Sequence, residues 1–176
     1  MTATVQPALD GNVHRLISDL AYRERTQQRI KAHSEIAADS ECWLWTNALD
    51  RDGYGVIMAP GRDSAHRAAY LAFVGAIPAD RVLDHVCHSR DQACPGGSTC
   101  LHRRCVNPTH LEAVTGGVNT LRGRSVWALN ARKTHCKHGH AFTPENTYQR
   151  HDGRACRTCI RAATARYRSK KKGTPR

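Results

Sequence analysis

One short stretch holds side chains whose types and spacing could do chemistry together. Leu83-Asp84-His85-Val86-Cys87 is followed, after seventeen residues, by Cys105-Val106-Asn107-Pro108-Thr109-His110-Leu111, and the pattern closes on Asn119. A lone histidine is ordinarily a structural hydrogen-bonding group. An imidazole nevertheless titrates near pH ~6.5 and can accept a proton from water at neutral pH, which makes His85 a candidate base in this setting. The neutral amide oxygen of Asn119 suits Mg²⁺, a hard ion that keeps waters and phosphates in its shell, and Asp84 is a candidate second ligand. Cys87, Cys105 and His110 are soft donors of the kind zinc takes. Hydrolysing a phosphodiester needs a base for water, an electrophile on the phosphate oxygens and a stabiliser for the leaving 3′-oxygen. An imidazole beside one hard divalent cation supplies those roles.

The elements that must position these groups belong to a chain of 176 residues, enough for one ordinary domain and a small module. With two Phe and a mean hydropathy of −0.59 the apolar core is expected to be thin, so something else should help hold it together. Eight Cys and eleven His are the candidates. The opening residues lack the apolar run of a secretory leader and no later run has the length of a membrane span, so a cytoplasmic, reducing address is expected. There, mixed Cys and His at short spacing favour zinc over disulfides.

The net charge of +12 is unevenly placed. Residues 121–176 carry fifteen Lys and Arg against two acids, whereas residues 1–120 carry twelve against thirteen. A basic C-terminal segment interleaved with Cys and His points to a polyanion, because Lys and Arg displace condensed counterions from phosphate backbones. A solubilising tail is the plainer alternative.

Apolar residues spaced at three and four predict one helix over residues 12–36. Aromatic and β-branched residues punctuated by glycine predict short antiparallel strands in residues 42–45 and 52–58. A helix capped by Ser64 is expected over 64–74, then β structure over 81–87, an irregular insertion at a hairpin tip over 88–104, a strand over 111–114 and a helix from 117 to 122. A basic linker over 124–133, a small Cys/His unit over 135–160 and a basic helix over 162–176 complete the order. The expected domains are an N-terminal helical arm (1–38), a central domain (39–124) and a C-terminal module with a basic tail (125–176).

The central spacing resembles the ββα-metal, or His-Me finger, nucleases, among them phage HNH endonucleases and His-Cys box homing endonucleases. The resemblance rests on Asp84-His85-Val86-Cys87-His88, Arg104-Cys105-Val106-Asn107-Pro108-Thr109-His110-Leu111-Glu112 and Val118-Asn119-Thr120-Leu121-Arg122-Gly123, and it spans residues 42–124. It implies an α+β fold with a zinc-stabilised ββα-metal core and an endonuclease cutting double-stranded DNA with Mg²⁺ or Mn²⁺, as a nicking monomer or a homodimer cutting both strands. His85 would activate water and Asn119, with Asp84, would hold the ion. HNH enzymes commonly have an asparagine where this chain has His110. His-Cys box enzymes have a zinc-binding histidine there, which implies a structural zinc site of Cys42, Cys87, Cys105 and His110. A site of three thiolates and one imidazole is also chemically reasonable in its own right.

Four further donors, His88, Cys94, Cys100 and His102, lie in the insertion. A second small zinc site and unmetallated thiols in a loop are the two readings. Arg62, His66 and Arg67 precede the hairpin and are candidates for reaching DNA phosphates; a solvated helix face is the alternative. In the C-terminal module Cys136, His140, Cys156 and Cys159 read as another zinc site, since Cys-x-x-Cys presents two thiolates on one turn, with His138 in reserve. Arg122, Arg124, Arg161, Arg166 and Arg168 are further candidate DNA contacts, giving affinity without sequence preference. The rival reading from a different class is a non-catalytic zinc-binding nucleic-acid adaptor, which needs the cysteines and the tail but neither His85 nor Asn119.

Overall fold

The computed structural model describes residues 11–58 and 62–172. They divide into two compact units, Met1–Gly123 and Arg124–Arg176. The first is mixed α+β, with short antiparallel strands paired two by two.

The single helix expected over 12–36 is instead two, α1 (Gly11–Ser18) and α2 (Leu20–Ala32). Asp19 breaks it: its backbone is extended and its carboxylate accepts the Tyr22 N–H at 2.9 Å, capping α2. The Arg23 guanidinium donates to the Leu16 and Ile17 carbonyls and satisfies the open end of α1. After Ala32 the chain enters β1 (Ser34–Ile36), which pairs with β2 (Trp43–Trp45). Of the roles open to the N-terminal helical segment, packing on the core is the one the described residues from 11 onward show. Ile30 lies in the main core with Trp45, Ile57, Val106 and Leu111, and Leu16 packs on Leu71 and Ala72. A chain so poor in large apolar residues uses these helices as core.

Strands β3 (Val56–Met58) and β4 (Arg62–Ser64) lead into α3 (Ala65–Phe73). Ser64 sits at the N-cap position, but its side chain makes no cap bond; the Ala65 N–H goes to the Gly55 carbonyl at 2.7 Å. A Cβ on Gly55 would lie 2.7 Å from the Trp45 ring, so only glycine lets the strand pass the indole. Buried Ala65, Ala68, Ala69 and Ala72 let α3 approach closely.

Strand β5 (Val82–His85) pairs antiparallel with β6 (Leu111–Val114), His85 opposite Leu111, and α5 (Gly116–Arg122) follows, capped by the Thr115 hydroxyl. The insertion between the strands is less irregular than expected. Helix α4 (Val86–Arg90) starts directly after β5 and takes in Cys87 and His88, and a 3₁₀ turn forms at Leu101–Arg104.

In the second unit, α6 (Val126–Arg132) occupies most of the expected basic linker, capped by the Ser125 hydroxyl. A hairpin of β7 (Thr147–Arg150) and β8 (Gly153–Cys156) precedes α7 (Arg157–Lys172), which begins earlier than residue 162 and so includes Cys159. Arg154 stacks on Phe142, 4.2 Å from the ring centroid, and donates to the carbonyls of Asn130, Ala131 and Lys133 at the end of α6. No helix of the described residues is long and apolar enough to cross a membrane.

Candidate metal centres and a polar cleft

The residues Cys42, Cys87, Cys105 and His110 come from four places in the chain and converge with their ligand atoms within 4.8 Å of one another. Local structure explains each. Glu41 takes φ 55 to turn the chain into Cys42, and its carbonyl accepts the Asn107 side-chain N–H at 2.9 Å. The Asn107 oxygen accepts from the Thr109 N–H at 3.0 Å and hydroxyl at 2.8 Å, capping a 3₁₀ turn, Pro108–His110, that aims His110 inward. Cys87 stands in the first turn of α4, and Cys105 is tied to β2 by the Val106 N–H to Trp43 carbonyl bond of 2.8 Å.

The donor spacing fits a tetrahedral ion. Zinc–sulfur and zinc–nitrogen bonds of the usual length put neighbouring S and N at about 3.6 Å and two S atoms at about 3.8 Å. His110 Nδ1 lies 3.6 Å from Cys42 Sγ and 3.5 Å from Cys105 Sγ. The three thiols are close enough to share charge through hydrogen bonds. Hydrogen bonds from Cys105, then Cys87, pull the Cys42 thiol far below its usual range; hydrogen bonds to Cys105, then Cys42, push Cys87 up, and the bond to Cys42, opposed by Cys87, pushes Cys105 to about 11. Three buried sulfurs cannot all ionise unless a cation sits among them.

The C-terminal set Cys136, His140, Cys156 and Cys159 also converges, with His138 outside it. Its spacings are alike: Cys136 Sγ to Cys159 Sγ is 3.7 Å, and His140 Nδ1 lies 3.5, 3.7 and 3.3 Å from Cys136, Cys156 and Cys159. Gly139, at φ 79, closes the first knuckle, and backbone N–H groups of His138 and Cys159 donate to sulfur. Asn146 braces the second, donating to Cys156 Sγ at 3.4 Å and accepting from Thr158. The insertion residues His88, Cys94, Cys100 and His102 form a third convergent group, with Cys100 Sγ 3.6 Å from His88 Nδ1 and 3.5 Å from His102 Nδ1. None of the eight cysteines is in a disulfide.

Beside the first and third groups opens a cleft of about 140 Å³ lined by Asp84, His85 and Asn119, together with Tyr54, His102 and Arg103. His85 is buried, and its Nε2 donates to the Cys105 carbonyl at 3.1 Å. A carbonyl only accepts, so Nε2 carries the proton and Nδ1 keeps its lone pair in the neutral ring. Burial, opposed by the Cys105 carbonyl and the Asp84 charge, lowers the His85 pKa to about 4, leaving the ring neutral at physiological pH.

Several expectations for neighbouring residues change. His66, expected to touch DNA, is buried with its ring 4.9 Å from that of His85 and 5.4 Å from Tyr54. Arg122, also expected on DNA, bridges Asp84 at 3.0 Å and Glu112 at 2.6 Å, so the Asp84 carboxylate already has a cation. Arg67 is half-exposed and paired with Asp63 at 3.4 Å. Arg62 pairs through its backbone in β4, and its side chain lies outside the described residues. Arg124, Arg161, Arg166 and Arg168 are exposed in the second unit, the last three on α7. Tyr54 and Arg103 were missed by sequence reasoning; the Gly-flanked aromatic of Asp52-Gly53-Tyr54-Gly55 and the run of basic residues before Cys105 were the only signals. No family model matches this chain, and neither a curated protein nor a solved structure does.

Proposed function

We propose that this protein is a divalent-metal-dependent DNA endonuclease of the ββα-metal class, a freestanding homing or phage-type HNH enzyme, with its chemistry in the first unit and its DNA affinity in the second. The observation that carries this reading is the meeting of His85, Asn119 and Asp84 at one cleft, with the His85 ring oriented through Nε2 so that Nδ1 is the available base. In that role Nδ1 takes a proton from the attacking water. The cleft oxygens of Asn119 and Asp84 suit a hard cation, which when bound would neutralise phosphate charge and stabilise the leaving 3′-oxygen. Asp84 must then share its carboxylate with Arg122 or exchange the ion pair for the cation. The closed Cys42, Cys87, Cys105 and His110 set serves as a structural zinc centre that joins β2 to the hairpin carrying His85. Zinc at Cys136, His140, Cys156 and Cys159 holds the second unit, and α7 runs its exposed arginines along phosphates. Cleavage on this mechanism leaves 5′-phosphate and 3′-hydroxyl ends.

The Asp84–Arg122 ion pair is the observation that favours the rival, a non-catalytic zinc-binding nucleic-acid adaptor. His85→Ala decides between them: the nuclease loses Mg²⁺-dependent plasmid nicking and keeps its zinc content and DNA binding. Fully zinc-loaded wild-type protein that nicks no duplex with Mg²⁺ or Mn²⁺ leaves the adaptor as the reading.

A further inference from the structure

The seventeen residues between Cys87 and Cys105 are built as a wall rather than a free loop. Gly96 and Gly97, at φ 76 and 79, turn the chain, and the Ser98 carbonyl then sits where a Cβ on Gly53 would be, 2.1 Å away. The wall therefore packs on the turn that carries Tyr54. Asp91 accepts the N–H groups of Ala93 and Cys94 through Oδ1, and its Oδ2 lies 3.8 Å from His102 Nε2. His102 thus offers Nδ1 to the cluster while a carboxylate steadies its other nitrogen, the arrangement that fixes histidine ligands of metals.

The residue after His102 is Arg103. Its guanidinium donates to the Asp52 carbonyl at 2.5 Å, lies 4.8 Å from the Tyr54 ring centroid and lines the cleft with His85 and Asn119. Among the described residues no carboxylate pairs with it, in contrast to Arg122, which holds two. A half-buried guanidinium at a polar cleft, oriented by a ring and a carbonyl and lacking an anion, fits a phosphate oxygen.

We infer that His88, Cys94, Cys100 and His102 form a third structural zinc site, which builds the outer wall of the cleft and sets Arg103 to grip a phosphate of bound DNA. The phosphate contact rests on reading the cleft as a DNA site; the metal does not. Zinc per chain, counted by atomic emission on the full-length protein, is expected to be three, falling to two in Cys94→Ser/Cys100→Ser. A wild-type count of two, or an unchanged count in the variant, overturns the site. Affinity for a labelled duplex, measured with Ca²⁺ so that binding is read without cleavage, should fall roughly tenfold or more in Arg103→Ala and recover in part in Arg103→Lys. The double cysteine variant should show the same loss, and combining it with Arg103→Ala should add nothing further. Losses that multiply mean the cluster does not act through Arg103, and an unchanged Arg103→Ala affinity removes the phosphate contact. Arg103→Ala keeps every ligand, so it decides the contact even where the cysteine variant fails to fold. Wild type that binds duplex but never nicks ends the nuclease reading alone, because the binding series still stands; wild type that does not bind DNA ends the Arg103 proposal.

Discussion

Two Cys₃His groups of the same composition sit in very different surroundings. In the first unit Cys42, Cys87, Cys105 and His110 are all buried, beside an apolar core that includes Trp45 and Ile57. In the second, among the described residues of 124–172, only Ala128 and Cys156 are buried. The same donors therefore do different work. The first group sits on a hairpin that a hydrophobic core already supports. The second is the centre of a unit with almost no core, where binding of an ion by these donors would be one event with folding.

Chelation tests this contrast most strongly. Structural zinc in small modules supplies about 10–16 kcal/mol of apparent binding free energy, all of it folding free energy where no core exists. Removing metal from the full chain should erase amide hydrogen-exchange protection in β7, β8 and the start of α7, while α2 and α3 keep part of theirs. Loss in the reverse order would break the comparison. Asn107→Ala comes next. It strips the buried amide that holds Glu41 and caps the turn before His110, and should cost the first unit about 2 kcal/mol by denaturant titration with zinc still bound. An effect below a few tenths would mean that the metal alone positions His110.

Arg154→Ala should be milder, about 1–2 kcal/mol, because its stacking on Phe142 and its bonds to the end of α6 are partly solvated. The unit's melting temperature at saturating zinc reads it. A drop as large as chelation produces would show that Arg154, not metal, is its keystone. The smallest effect is expected from His66→Phe. Burial, then the neighbouring His85, lowers the His66 pKa to about 3, so the fold favours the neutral ring. Its contribution is intact above the unfolded value near ~6.5 and is lost as pH falls through the window from there towards 3. The variant should show a flatter fall in first-unit stability across that window; matching wild-type and variant curves would place the acid sensitivity elsewhere.

Much of the candidate site was legible in the chain because metal ligands follow local rules. Cys-x-x-Cys on one turn and a knuckle ahead of it need only neighbouring residues to be aimed, whereas the set of Cys42, Cys87, Cys105 and His110 came from the family resemblance. Both sets, and the four donors of the insertion, converge in the structure. The β5–β6 hairpin and the helix after it were legible for the same reason, since alternating and helical spacing are short-range signals. The break at Asp19 was hidden because an N-capping carboxylate and an exposed one look alike in sequence. The helix in the basic linker was hidden by its charge.

By itself the sequence determined the donors of the Cys-x-x-Cys module, the charge asymmetry between the halves and the order of strand, insertion, strand and helix. Tertiary structure alone decided what surrounds them. Contacts such as Arg103 with Asp52, Arg122 with Asp84 and His85 with the Cys105 carbonyl join residues 51, 38 and 20 positions apart. Such pairings depend on how elements pack, not on local preference, so a histidine read as a DNA contact could turn out buried and an unremarked arginine could line the cleft. The imidazole at position 85 was a candidate base from its type, but the nitrogen that keeps its lone pair was settled only when a carbonyl twenty residues on took the other proton.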